Sequence, residues 1–123
     1  MGTDVTGNRT TLLVLQGADQ GIRFEVGGDA VTIGRGAQND VRILDTEVSR
    51  QHARLQLRDG GYAIVDAGSS NGTFVNGRPT EGQQLNNGDQ IQIGRTVLLF
   101  TQTSIEDPSH VASRVSLVES VDE

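Results

Sequence analysis

Apolar residues recur along this chain mostly at every second position, in short runs. Leu12 and Val14 alternate with polar neighbours, as do Ile22, Phe24 and Val26, then Val31 and Ile33, then Val41 and Ile43. The same spacing returns in Ala53, Leu55 and Leu57, in Tyr62 and Ile64, and in Ile91 and Ile93. Successive side chains of a strand point to opposite faces, so this period predicts strands with one buried face. A continuous apolar run from Thr96 to Phe100 lies near the end of this region. Between the runs stand "GADQG", "GGD", "GAQND", "RDGG", "DAGSSNGT", "VNGRPTEG" and "NNGD", and Asn-Gly occurs three times. Short strands separated by such turn sequences predict an all-β sandwich or barrel. No helix is expected from Thr11 to Thr101.

The tail reads differently. Residues 102–123 are rich in Ser, Val and acid, and Val111, Val115 and Val118 have helical spacing. Ser109 could cap a helix there. The expected organisation is a flexible segment over residues 1–10, a β domain over 11–101, and a linker or short helix over 102–123 leading toward a further domain.

Composition narrows the chemistry. A chain of 123 residues with 34% hydrophobic content suits one domain with one core. No apolar run is long enough to span a membrane. Cysteine is absent, which fits a reducing, cytoplasmic setting and removes disulfides and thiolate metal sites. The two histidines, His52 and His110, are far apart, so neither a metal site nor a cofactor is expected. All ten basic residues are arginine, which excludes a Schiff-base lysine and a P-loop lysine. A net charge of −6 argues against nucleic-acid or anionic-membrane partners. A local anion site stays open, because screening acts over about 8 Å and nearby arginines outweigh distant carboxylates.

The segment "EVSRQHARLQL" places Ser49, Arg50 and His52 within four residues. A catalytic Ser–His pair needs the hydroxyl within reach of the imidazole and a third group behind the ring. Here Ala53, Leu55 and Leu57 alternate, so His52 enters a strand, and an offset of three sends the two side chains to opposite faces. No "GxSxG" elbow is present. His52 is therefore expected to brace a loop, with its ring nitrogens bonded to backbone, and no catalytic residue is assigned. Two other segments join this one. "TIGRGAQNDVRI" places Arg35 between two glycines after a strand, and "DAGSSNGTFVNG" places Ser69, Ser70, Asn71 and Thr73 in a tight turn. Arginine offers a planar fork of donors to phosphate, serine a short hydroxyl, and asparagine both a donor and an acceptor for an extended peptide. The set suits holding a phosphate rather than transferring one.

"IGR", then "VSRQHA", then "SSNGTFVNG", then "NNGDQIQIG", in this order, resemble the forkhead-associated (FHA) family of phosphothreonine-binding domains. The resemblance covers Thr11 to about Thr101. It implies a β-sandwich of about eleven mostly antiparallel strands with recognition loops at one end. It also implies a non-enzymatic module that binds a phosphothreonine-containing protein or peptide in signalling, and so recruits or regulates a partner or a fused domain. Carried over by motif, Arg35 and Ser49 bind the phosphate, with Arg50 as a further phosphate or peptide contact. Ser70 lies beside the phosphothreonine and Asn71 bonds the peptide backbone, while Gly34, His52 and Gly72 support the loops. The oligomeric state is left open. Two alternatives stand beside this one: a phosphate-independent structural or oligomerisation module on the same fold, and a hydrolase built on Ser49 and His52.

Two finer expectations come from charge and position. Asp45 and Glu47 precede Ser49, so a peptide passing over them is expected to meet negative potential. Thr3, Thr6, Thr10 and Thr11 lie next to the first strand, where a phosphothreonine could reach the domain's own site.

Overall fold

The computed structural model describes residues 8–104. Eleven strands form among them: β1 (Asn8–Gln16), β2 (Arg23–Val26), β3 (Ala30–Gly34), β4 (Val41–Arg42), β5 (Ala53–Arg58) and β6 (Gly61–Asp66), followed by β7 (Thr73–Val75), β8 (Arg78–Thr80), β9 (Gly82–Gln84), β10 (Gln90–Ile93) and β11 (Thr96–Ser104). One sheet has the order β2-β1-β11-β10-β7-β8 and the other β4-β3-β5-β6-β9. The fold is therefore a sandwich of two separate sheets. Every pairing is antiparallel except β3 with β4, which run parallel through Ile33–Val41 and Gly34–Arg42.

The alternating positions meet between the sheets. Leu12, Val14, Ile91, Ile93, Leu98 and Phe100 from one sheet and Val31, Ile33, Leu55 and Ile64 from the other are buried. Each such side chain removed from water contributes about 1.5–3 kcal/mol. Two alternating positions do not follow. Ile22 falls in the turn before β2, and Leu57 sits near the end of β5 before its hairpin; they are 46% and 45% exposed. The alternation runs past the end of the covered surface at both places. Ladder pairing runs past it too, in the other direction. β1 begins at Asn8 and β11 ends at Ser104, pairing Asn8 with Ser104 and Arg9 with Thr103. Backbone hydrogen bonds carry a sheet through polar residues, so hydropathy places these two ends too far inward. Thr10 and Thr11 are consequently buried within β1, at 3% and 9% exposure. A phosphate on either would require that strand to leave the sheet; Thr3, Thr6 and the helical pattern around Val111 lie outside the described residues. Among those residues, no helix is long and apolar enough to cross a membrane.

Candidate functional site

The loops leaving β3, entering β5 and leaving β6 lie side by side, and single residues fasten them. Gly34 ends β3. A Cβ there would stand 2.3 Å from the Arg50 carbonyl oxygen, so only glycine lets the loop before β5 lie this close. The two loops then bond as a short ladder. His52 N–H donates to the Ile33 carbonyl at 2.9 Å, Arg35 N–H to Ser49 at 3.0 Å and Gly36 N–H to Arg50 at 3.1 Å. The Arg35 side chain adds a bond from Nε to the Val48 carbonyl at 3.0 Å. Asn39 closes the corner, donating from Nδ2 to the carbonyls of Gly36 at 2.9 Å and Arg50 at 2.6 Å.

His52 ties the second loop to the third. Its ring is fully buried. Nδ1 accepts the Ser49 N–H at 3.0 Å, so the proton sits on Nε2, which donates to the Gly72 carbonyl at 2.8 Å. Two further bonds cross the same gap: Ser70 N–H to Ser49 Oγ at 3.0 Å, and Asn71 Nδ2 to the Glu47 carbonyl at 2.8 Å. Asp66, at the end of β6, organises the third loop from below. Its carboxylate accepts the Gly68 and Ser69 N–H groups and the Ser69 and Thr73 hydroxyls. Burial pushes this carboxyl upward, but those hydrogen bonds outweigh it and hold the group below its ordinary range. Gly72 takes φ of +88, a conformation that glycine adopts at no steric cost.

Ser49 is thus a junction. Its N–H donates to the His52 ring of its own loop, its carbonyl accepts from Arg35 of the first loop, and its Oγ accepts from Ser70 of the third. The hydroxyl proton is left to donate outward. The exposed Arg35 and Arg50 side chains flank this stretch, and neither has a carboxylate partner among the described residues. Such a cluster can hold an anion. A Ser–His relay is absent from it, because the ring accepts the Ser49 backbone N–H rather than the hydroxyl. No group of three or more potential metal-ligating side chains occurs among the described residues. The site is a surface of loop tips. The cavity of about 490 Å³ lined by Arg9, Leu13, Arg23 and Leu99 lies elsewhere, over β1, β2 and β11.

The site residues expected from the sequence, Gly34, Arg35, Ser49, Arg50, His52, Ser70, Asn71 and Gly72, fall on these three loops or at their bases. Their local roles differ in detail. Ser70 enters the network through its N–H; Asn71 spends its amide N–H on Glu47, leaving Oδ1 without a donor among the described residues. Asp45 departs from the expectation. Its carboxylate accepts the Glu47 and Arg95 N–H groups and the Thr96 hydroxyl, and Glu47 pairs with Arg95 at 2.7 Å. For Asp45, burial raises the carboxyl pKa, but these hydrogen bonds and the Arg95 charge outweigh it and leave a net lowering. Arg95 therefore offsets part of the negative charge on this loop. Asn39 and Asp66 were not legible as supports, although Asp66 two residues before Gly68 fits an Asx turn.

Comparison with known proteins agrees with this geometry. The family model for the cytoplasmic domain of an inner-membrane component of T3SS matches residues 13–104. An oxoglutarate dehydrogenase inhibitor of Corynebacterium diphtheriae is 39% identical over 103 residues, covering 82% of this chain and 72% of the relative. The glycogen accumulation regulator GarA of Mycolicibacterium smegmatis is 39% identical over 98 residues, covering 80% and 62%. The chain thus spans under two thirds of GarA's length. A structure solved in a structural and functional analysis of phosphothreonine-dependent FHA domain interactions superposes with a TM-score of 0.70 at 30% identity, covering 76% of this chain and 95% of that one. With matches of this extent and the "IGR", "VSRQHA" and "SSNGT" segments gathered on one set of loops, the chain belongs to the forkhead-associated (FHA) domain family.

Proposed function

We propose that this domain binds phosphothreonine in an extended segment of a partner protein, without catalysis, and so recruits or regulates that partner or a fused domain. Arg35, Ser49 and Arg50 hold the phosphate; Ser70 and the free Oδ1 of Asn71 engage the peptide. The observation that carries this reading is the state of Ser49, whose Oγ accepts the Ser70 N–H while its hydroxyl proton has no acceptor among the described residues, on a loop that carries the exposed Arg50 and is bonded to the loop of the exposed Arg35. Relatives described as an enzyme inhibitor and a regulator support a regulatory role. The cytoplasm is the compartment this reading calls for, since kinases there supply phosphothreonine.

The test is a fluorescence titration against phosphothreonine, phosphoserine and unmodified versions of peptides selected from a phosphothreonine library. Binding is expected for the phosphothreonine form alone. Equal binding of the unmodified peptides would instead support a phosphate-independent interaction module.

A further inference from the structure

The turn between β10 and β11 is fastened to the recognition loops as a fourth member. Gly94 has φ of +58, and a Cβ there would press within 3.1 Å of Asp45, Glu47 and Val48. Arg95 N–H donates to Asp45 Oδ2 at 2.8 Å, and Thr96 Oγ1 donates to the same oxygen at 2.9 Å. These bonds fix the Arg95 backbone beside the stretch that Asn71 grips, since Asn71 Nδ2 donates to the Glu47 carbonyl. The side chain reaches the same residue. Its Nε bonds Glu47 Oε2, and it remains 81% exposed. Its terminal N–H groups have no partner among the described residues.

We infer that Arg95 is a second anion point, taking a carboxylate side chain of the bound peptide at a position on the Asn71 side of the phosphothreonine. This rests on the phosphothreonine reading above and adds a specificity determinant to it. The physical reason is a spare fork. One N–H of the guanidinium steadies the group against Glu47, and the outer pair is free for bidentate contact with a carboxylate. Glu47 is at once its anchor and its competitor. Since Asp45 is consumed inside the turn, Glu47 supplies the repulsion that an acidic peptide residue would meet there, and Arg95 offsets it. An exposed pair of this kind is modest, so the preference is a factor of about two to five at low salt, fading as salt rises.

The test uses an array of phosphothreonine peptides with alanine at every flanking position except one, which carries Asp, Ala or Lys. The readout is the ratio of Asp to Ala affinity at each position. The wild type should favour Asp at one position. Arg95→Gln should bring that ratio to one or below, Arg95→Lys should keep it above one, and Glu47→Gln should raise it. A flat ratio in the wild type, or a preference that survives Arg95→Gln, overturns the inference while leaving phosphothreonine binding intact. Failure of every phosphorylated peptide to bind overturns both readings together.

Discussion

Two Asn-Gly pairs flank β7 and play different parts. Asn76-Gly77 joins β7 to β8 as a two-residue hairpin, with Val75 opposite Arg78 and φ of 51 and 84. Both central residues are left-handed, as a type I′ turn requires. Asn71-Gly72, at the other end of the strand, makes no such hairpin. Its amide reaches Glu47 and its glycine carbonyl takes the His52 proton, across sequence separations of 24 and 20 residues. Asn76 also bonds beyond its hairpin, to Asp89 and Gln90 at the entry to β10, but none of those partners lies on the recognition loops, whereas the bonds of the other pair join two of them. The hairpin is therefore fastened to the turn before β10, away from the recognition loops. At the junction, the position of Ser49, Ser70 and Asn71 depends on side chains far away in the chain, so damage at one support should reach the whole binding surface.

His52→Ala should break the junction most severely. It leaves a cavity and strips partners from the Ser49 N–H and the Gly72 carbonyl, for a loss of about 3–5 kcal/mol. Urea unfolding and peptide titration should show stability and affinity falling together. A stable His52→Ala protein with full affinity would contradict the bracing role. Gly34→Ala acts instead where the first loop meets the second, forcing a methyl against the Arg50 carbonyl. About 1–3 kcal/mol is expected in thermal unfolding, and an unchanged melting temperature would mean the loops part freely.

Asp66→Asn tests the underside of the junction. The variant presents an amide to two hydroxyls and two N–H groups that bond a carboxylate, and should cost about 1–3 kcal/mol. The folded carboxyl titrates below its unfolded value. Its contribution is thus present above an unfolded pKa of about 3.9 and is lost as pH falls through the folded value. Asp45 adds in the same direction. Acid titration of stability should be shallower in Asp66→Asn than in the wild type below about pH 4; identical slopes would count against the carboxylate's role.

The smallest effect belongs to the hairpin. Gly77→Ala places a side chain at positive φ and should cost about 1 kcal/mol, with peptide affinity at the wild-type level. Should it weaken binding as His52→Ala does, the contrast between the two Asn-Gly pairs would collapse.

The same contrast explains what the sequence disclosed. Period-two alternation located the buried faces of strands such as β3, β5 and β10; it misled at Ile22 and Leu57, where a turn or strand end exposes the position, and it is absent from the short polar strands β8 and β9. Arg35, Ser49 and Asn71 were readable because they stand in compact motifs. Asn39, Asp45 and Asp66 were not, because a single side chain bonding backbone or hydroxyls across a fold has no period. The charge of Asp45 pointed toward a ligand, whereas its partners Arg95 and Thr96 lie 50 and 51 residues on.

The central claim is that pre-fastened loops present Arg35 and Ser49 to a phosphate. Calorimetric titration of one library-selected phosphothreonine peptide into the wild type, Arg35→Ala and Ser49→Ala, with unfolding curves on the same samples, tests it most directly. Arg35→Ala should lose about 2–5 kcal/mol of affinity and Ser49→Ala about 1–3 kcal/mol, while both proteins unfold close to the wild-type temperature. Wild-type affinity in both variants would contradict the claim.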